Sequence, residues 1–155
     1  MSGKLRILFL CTGNSCRSQM AEGWARHLKG DVIEAYSAGL ETHGLNPQAV
    51  RVMAEAGVDI SSHTSKSVDL FRGRELDVVV TVCGHAQETC PIFTGCRRVV
   101  HVGFADPPQL ARALAARGAS AEEQLDCYRK VRDEIRAFIE TLPESLQEQQ
   151  SGGQP

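Results

Sequence analysis

The sequence predicts a single-domain α/β protein, an open parallel four-stranded sheet with helices on both faces. Three observations predict it: apolar runs of strand length alternate with helical patterns, one run is nearly all valine, and the chain has 155 residues. A chain of that length buries one core and is too short for two ordinary domains. Ligands of parallel α/β sheets bind at the carboxyl ends of the strands, so the functional residues are expected there.

Two strand–helix units are predicted in the first half of the chain. Residues 5–10 form a short run rich in strand formers, and a helix-compatible stretch follows at residues 18–28. Residues 32–37 give the second strand. Asn46 and Pro47 then supply an N-cap and a first-turn proline for the second helix.

The second half adds two strands and a long helix. Residues 78–82 are valine except for one threonine, which is typical of a central strand covered on both faces. Residues 98–102 give the fourth strand, and the prolines within residues 104–108 predict a loop after it. Ser120 and Glu123 form a capping box that opens the last helix. The apolar stripe of that helix comprises Leu125, Tyr128, Val131, Ile135, Phe138 and Leu142.

Composition excludes several functions. Seventeen Lys and Arg against nineteen Asp and Glu give a net charge of -2, so no basic field exists to hold nucleic acid or an anionic membrane. No apolar stretch approaches the roughly 20 residues that span a bilayer, and the N-terminus carries no signal-like segment. We expect a cytoplasmic protein, and a monomer. Residues 1–143 are assigned to the domain, and the polar residues 144–155 to a disordered tail.

The strongest functional signal follows the first strand directly. Cys11 and Arg17 are separated by five small or polar residues. Such a loop turns backbone amides inward beside the positive end of the next helix and fits a tetrahedral oxyanion. Arg17 would hold two oxygens, and these surroundings would lower the pKa of Cys11 and make it a thiolate. The predicted substrate-binding residues are Thr12, Gly13, Asn14, Ser15, Cys16, Arg17 and Ser18.

Two other interpretations of this loop are weaker. Cysteine is among the most buried residues, so Cys11 could be a core residue beside a structural arginine. A nucleotide-binding loop would need the pattern Gly-x4-Gly-Lys-Ser/Thr, which the sequence lacks, and it would leave the cysteine without a task.

A structural disulfide framework is not expected in a reducing compartment, so each of the six cysteines is a core residue, a metal ligand or a reactive thiol. Cys83 ends the third predicted strand, so it is expected at the same edge of the sheet as Cys11, which permits a thiol relay. Cys83 and Cys90 would lie about 10.5 Å apart on a regular helix, whereas a disulfide needs Cα atoms roughly 4.4 to 6.8 Å apart. Joining them would unwind the segment, which is our hypothesis of a redox switch. The spacings of the cysteines disfavour a zinc site.

The motif Cys-x5-Arg-Ser at Cys11, with Asp106 and Pro107 far downstream, resembles the low-molecular-weight protein tyrosine phosphatase fold over nearly the whole chain. With the two cysteines of VTVCGHAQETCPI at residues 80–92, the chain resembles the thioredoxin-coupled arsenate reductases. Further matches are SCRSQMAEGW at residues 15–24, YSAG at 36–39, ETHG at 41–44 and VRDEI at 131–135.

The resemblance implies a role for each of five residues. Cys11 attacks arsenate held by Arg17, and Asp106 assists loss of the hydroxyl. Cys83 then attacks the sulfur of Cys11 and releases arsenite, and Cys90 attacks Cys83 to leave a Cys83–Cys90 disulfide for thioredoxin. Sulfur supplies both electrons, so neither a bound cofactor nor a metal is implied. Arsenate and thioredoxin are the expected partners, in arsenic detoxification.

Two departures from the family pattern concern the surroundings of the loop. The family can hold a potassium ion there, and the matching positions include Asn14, Glu22 and Ser37. Lys66 stands where an aspartate is expected, so its ammonium is predicted to replace the cation unless it only points into water. Ala105 stands where a second acid is common, and Asp106 alone is therefore assigned as the acid.

Three other functions stay open on the sequence. A phosphatase acting on phosphotyrosine or small phosphate esters would use the same loop and acid but would not need Cys83 or Cys90. Aromatic residues usually frame a phosphotyrosine pocket, and Pro108 stands where one would be expected. A non-catalytic arsenic sensor would chelate arsenite with several thiols and would not need Asp106. A reductase coupled to a low-molecular-weight thiol would make Cys90 redundant.

Overall fold

The structure, a computed structural model, describes residues 3–82 and 98–146 of the chain. The elements in these ranges, in chain order, are β1 (Leu5–Cys11), α1 (Arg17–Lys29), β2 (Ile33–Gly39), α2 (Pro47–Glu55), a 3₁₀ helix (Val68–Phe71), β3 (Val78–Thr81), β4 (Val99–His101), α3 (Pro107–Ala116) and α4 (Ala121–Glu140). None of the described helices is long and apolar enough to cross a membrane.

The four described strands form one all-parallel sheet in the order β2-β1-β3-β4, which confirms the predicted fold class. Cys11 at the end of β1 pairs with Gly39 of β2, and Leu10 pairs with Thr81 of β3. From β1 the chain therefore first adds β2 on one side of β1, and later adds β3 on the other side. Open α/β sheets bind ligands where the strand order reverses in this way, and the loop after Cys11 begins at that point.

The core lies along β1 and β3, as the apolar runs predict. Residues 7–10 of β1 are completely buried, and so are Val79 and Val80 of β3. Helix α1 packs against β1 and β2 and against α2 and α4. Its Trp24 is 1% exposed, and the indole Nε1 donates to the carbonyl oxygen of Arg132 on α4 at 3.1 Å. This packing fixes α1, and with it the loop that precedes the helix.

Both predicted helix starts are confirmed. The Asn46 side chain caps α2 by accepting from the backbone N–H groups of residues 48 and 49. At the start of α4, Ser120 Oγ accepts from the Glu123 amide at 3.1 Å, and the Glu123 carboxylate accepts from the Ser120 amide at 2.8 Å. Each cap satisfies amides that the first helical turn leaves unpaired.

Helix α3 is a difference from the sequence prediction, which placed a loop over residues 104–108 and no helix after it. The loop ends at Asp106, and Pro107 and Pro108 form the first turn of α3. Proline fits there because the first N–H groups of a helix have no intrahelical partner. The two prolines therefore open a helix, and Asp106 occupies its N-cap position.

The packed domain also extends beyond the predicted boundary at residue 143. Leu146 is 2% exposed, and its carbonyl oxygen accepts from Arg98 Nη1 at 2.6 Å. Residues 144–146 are therefore part of the fold. Residues 147–155 lie outside the described residues, and their disorder stays a prediction.

Candidate active site

The anion loop, residues 12–16, connects the buried end of β1 to the start of α1. Cys11 is 4% exposed. Within the described residues, the N-cap Cys16 makes no side-chain capping bond, and the first turn of α1 contains no acidic residue. The positive end of the α1 dipole therefore faces the loop, and neither Cys16 nor an acidic side chain in the first turn of α1 neutralises it.

The outer loop, residues 40–46, holds the anion loop through backbone hydrogen bonds. A trans peptide unit points its C=O and its N–H in opposite directions. Because three carbonyl groups point to the outer loop, the N–H groups of residues 13, 14 and 16 point away from it, as an anion-binding nest requires. The three bonds run from the Glu41 amide to Thr12 O at 2.9 Å, from His43 to Gly13 O at 3.0 Å and from Asn46 to Ser15 O at 2.9 Å.

Asn14 fixes the middle of the anion loop from three sides. It is fully buried, with a φ of 49°, in the left-handed region that asparagine tolerates better than most residues. Its Oδ1 accepts from the Lys66 amide at 2.7 Å and from Gln19 Nε2 at 3.0 Å. Its Nδ2 donates to Ser18 Oγ at 2.8 Å. The loop conformation is therefore set by the protein before any ligand binds.

Gly39 touches the anion loop so closely that a side chain cannot fit. A Cβ atom there would lie 2.6 Å from Glu41 O, 2.7 Å from Asn14 N and 2.8 Å from Thr12 O, all backbone atoms that cannot rotate away. We expect Gly39→Ala to lower the free energy of unfolding by about 1–3 kcal/mol and to weaken phosphate binding, as urea titration and calorimetry would measure. Gly3→Ala is the matched control, since nothing lies within 4 Å of its Cβ. Equal stability of the two variants would contradict this close packing.

Arg17 lines the site, and its guanidinium contacts both the backbone and the carboxylate of the Asp106 loop. Its Nη1 donates to Phe104 O at 2.9 Å, and its Nη2 lies 3.5 Å from Asp106 Oδ1. Its Nε is buried and has no hydrogen-bond partner among residues 3–82 and 98–146. A buried donor without an acceptor is unfavourable, so this nitrogen indicates a ligand that supplies one.

The Asp106 carboxylate is not used to cap α3. In the described structure it makes no side-chain bond to the first amides of that helix, and its side chain is 32% exposed. Backbone bonding instead fixes the residue, because Asp106 O accepts from the Leu110 amide at 3.1 Å. The carboxyl group is therefore positioned by α3 and remains available for proton transfer.

These groups meet around one cavity of about 400 Å³. Of the predicted site residues, Cys11, Arg17 and Asp106 line it, together with four of the predicted substrate-binding loop residues: Thr12, Gly13, Ser15 and Cys16. Asn14 and Ser18 bond to each other and are not among the lining residues, so their contact with a substrate stays a prediction. Three residues that the sequence did not indicate as site residues also line the cavity: His43, Asn46 and Arg112.

Cys16, the second cysteine of the cavity, is poorly suited to act as a nucleophile. Burial strongly raises the pKa of the Cys16 thiol, and the nearby Arg17 only partly opposes this effect. Cys16 therefore stays protonated at neutral pH, whereas the thiolate is the nucleophilic form of cysteine. Cys11 therefore stays the predicted nucleophile of the cavity.

Cys83 and Cys90, assigned above to the thiol relay, lie outside the described residues. The described chain reaches Val82, whose amide donates to Leu10 O at 2.9 Å and whose carbonyl accepts from Phe104 N at 3.2 Å. Val82 thus lies between the end of β1 and the loop that carries Asp106. Among residues 3–82 and 98–146, no group of three or more His, Cys, Asp and Glu is placed to hold a metal ion.

Lys66 does not point into water. Its Nζ donates to Thr64 O at 2.7 Å and lies 3.9 Å from Glu22 Oε1. Burial lowers the pKa of Lys66, while Glu22 opposes this shift. Glu22 is itself buried and accepts from Ser37 Oγ at 2.5 Å. Arg26 lies at 2.6 Å from its other oxygen. The ammonium thus lies beside two of the positions that the family resemblance assigns to a cation, at Glu22 and next to Ser37.

Lys66→Asp is expected to make the protein responsive to potassium. Without the ammonium, Glu22 faces a second carboxylate, and we expect a loss of about 1–2 kcal/mol of unfolding free energy in sodium buffer. Potassium should restore much of this loss, which thermal unfolding in potassium and sodium would measure. Lys66→Met is the control, because it removes the ammonium without adding a carboxylate. Equal melting temperatures of Lys66→Asp in the two salts would contradict the replacement of a cation by Lys66.

An all-parallel α/β sheet whose first strand ends in a Cys-x5-Arg-Ser anion loop, with an aspartate lining the same cavity, defines a phosphatase-like class of proteins. The family model described as "Low molecular weight phosphotyrosine protein phosphatase" matches residues 6–151, and the chain belongs to this family.

Relatives within this class are named as arsenate reductases. The arsenate reductase of Halalkalibacterium halodurans is 49% identical over 139 residues, which cover 90% of this chain and 95% of that protein. A solved structure, "An arsenate reductase in the phosphate binding state", has a TM-score of 0.72 and 33% identity over 89% of this chain and 95% of that chain. The thioredoxin-dependent arsenate reductase of Corynebacterium glutamicum has a TM-score of 0.65 and 26% identity, covering 94% of this chain and 63% of that chain.

Proposed function

We propose that the protein is an arsenate reductase that reduces arsenate to arsenite through three thiols and is regenerated by thioredoxin. The observation that carries the proposal is the Cys11 cavity. There the buried Arg17 Nε lacks an acceptor among the described residues, and Asp106 lines the same cavity. A tetrahedral oxyanion supplies the acceptor, and inward-facing amides bind its remaining oxygens. The identity of 49% to a named arsenate reductase supports arsenate as that oxyanion.

The first chemical step joins sulfur to arsenic. The Cys11 thiolate attacks the arsenic atom, an S–As bond forms, and one As–O bond breaks. Asp106 donates a proton to the departing hydroxide, which leaves as water. Arg17 and the loop amides hold the other oxygens throughout the step, where negative charge is concentrated.

The second step reduces the arsenic. Cys83 attacks the sulfur of Cys11, so a disulfide forms, and the S–As bond breaks with its electron pair left on arsenic. Arsenic(V) becomes arsenic(III), and the two thiols have supplied both electrons, so no bound flavin, nicotinamide or metal is needed. Phosphorus accepts no electron pair in this way, so bound phosphate cannot complete the cycle.

The last steps restore the enzyme. Cys90 attacks Cys83, which expels the Cys11 thiolate and leaves a Cys83–Cys90 disulfide, and a thioredoxin dithiol then reduces that disulfide. Two findings support this part of the proposal. One structural relative is named as thioredoxin-dependent. In addition, Cys83 directly follows Val82, which bonds to the end of β1 beside Cys11.

The test compares two substrates on the same reduced protein. Arsenate with thioredoxin, thioredoxin reductase and NADPH should give steady NADPH oxidation, and phosphate in place of arsenate should give none. The alternative function, a phosphatase, predicts hydrolysis of p-nitrophenyl phosphate with no arsenate-dependent NADPH oxidation, and that result would overturn the proposal. Among the described residues, none that lines the cavity is Phe, Tyr or Trp, so no described side chain of these three types frames an aryl phosphate.

A further inference from the structure

The Cys11 cavity is also lined by an arginine, Arg112, that has no role in the proposed mechanism. Pro108 and Arg112 lie four residues apart on α3, on the same helix face, and both line the cavity with Cys11. Arg112 is exposed. Within residues 3–82 and 98–146 its guanidinium has no hydrogen bond or ion pair, whereas Arg129 and Arg132 each meet carboxylates.

The groups that face Arg112 leave its charge available. His43 and Asn46 line the same cavity, and His43 Nε2 lies 2.7 Å from a Glu41 carboxylate oxygen. Asp106 belongs to the same cavity, but its Oδ1 lies 3.5 Å from Arg17 Nη2. The Glu41 and Asp106 carboxylates therefore already have an imidazole and a guanidinium partner, respectively.

The position of Arg112 distinguishes an inorganic oxyanion from its esters. When the thiolate of the buried Cys11 attacks in line, the oxygen opposite to the sulfur points away from Cys11 toward solvent, where the exposed Arg112 can reach it. In arsenate or phosphate this outer oxygen is a hydroxyl or an oxyanion, which a guanidinium binds well. In a phosphate ester it carries the organic group, which offers the guanidinium no charge.

We propose that Arg112 is a specificity-determining residue that binds the outer oxygen of a free inorganic oxyanion and so favours arsenate or phosphate over organic monoesters. The preference for arsenate as substrate rests on the proposed function. The preference for inorganic oxyanions over esters can be tested by binding alone, without turnover. A rim charge of this kind also accelerates encounter with an anion and makes it depend on ionic strength.

The binding test uses Cys11→Ser protein, which cannot react, with inorganic phosphate and phenyl phosphate as calorimetric ligands. Adding Arg112→Ala should weaken phosphate binding roughly tenfold and phenyl phosphate binding less than about twofold, and Arg112→Lys should recover part of the phosphate affinity. Arg117→Ala is the matched control, because Arg117 is exposed at the C-cap of α3 and does not line the cavity. Equal weakening of both ligands, or of neither, would overturn the inference.

The kinetic test uses the protein with Cys11 intact. Arg112→Ala should raise the KM for arsenate roughly tenfold with little change in kcat, and it should flatten the dependence of kcat/KM on salt. A purely structural role would lower kcat as well and leave the salt dependence unchanged, which would overturn the inference. Absence of arsenate turnover in the wild type would refute the proposed function instead, and the two calorimetric ligands would still decide the role of Arg112.

Discussion

Cys11→Ser protein is expected to release no arsenite, because the serine hydroxyl is not ionised at neutral pH and cannot end in a disulfide. The three relay thiols are expected to fail in three different ways. Cys83→Ser should trap arsenate on Cys11 without reduction. Cys90→Ser should release a single equivalent of arsenite from pre-reduced enzyme and then stop with a Cys11–Cys83 disulfide.

Arsenite released per enzyme, counted with and without thioredoxin, distinguishes these outcomes, and peptide mapping identifies the disulfide. Cys127→Ser is the control, since Cys127 is a half-buried free cysteine on α4 that does not line the cavity. Its turnover should match the wild type. A full equivalent of arsenite from Cys83→Ser would show that another thiol performs the reduction.

Arg17→Lys is expected to lower kcat/KM for arsenate roughly 100- to 1000-fold, the range found when a preorganised oxyanion donor is lost. Lysine keeps the charge but cannot reproduce a planar fork. In the structure one fork nitrogen bonds to Phe104 O, a second approaches Asp106, and the Nε has no partner among the described residues. A single ammonium cannot serve all three directions.

Steady-state kinetics and urea unfolding together test this prediction. The loss of the Phe104 contact should lower stability by only about 1 kcal/mol, so the effect on catalysis should far exceed the effect on folding. Arg117→Lys, at the exposed C-cap of α3, should match the wild type in both measurements. A fall of less than about threefold in kcat/KM would show that the backbone amides alone bind the oxyanion.

Features that depend on neighbouring residues were predictable from the sequence. The anion loop is one contiguous segment, so the spacing of Cys11 and Arg17 already contains its geometry. The capping box at Ser120 is equally local, and the structure confirms both of its bonds. The parallel sheet followed from the order of strands and helices, because a parallel strand pair needs a crossover between its members.

Features that depend on contacts between distant parts of the chain were not predictable from the sequence. Proline can end a strand or open a helix, so Pro107 alone does not predict which of the two occurs. The structure places Asp106 at the N-cap and Pro107 in the first turn of α3. His43 and Arg112 come from separate elements, and only the folded chain shows that they line the same cavity. The surroundings of Lys66 depend on tertiary packing as well. A lysine is usually solvated, and nothing in the local sequence places its ammonium at Thr64 O.

The bonds between the outer loop and the anion loop have a consequence for laboratory evolution. All three donors are backbone N–H groups, at residues 41, 43 and 46, so the hold on the anion loop does not depend on the side chains at positions 41 and 43. A combinatorial library that randomises Glu41 and His43, with proline alone left out because it lacks the donor, would vary a residue that lines the cavity, His43, and its side-chain partner, Glu41, while the oxyanion cradle stays assembled. Variants with new substrate preferences can therefore be selected at positions 41 and 43 while Cys11, Arg17 and Asp106 stay unchanged.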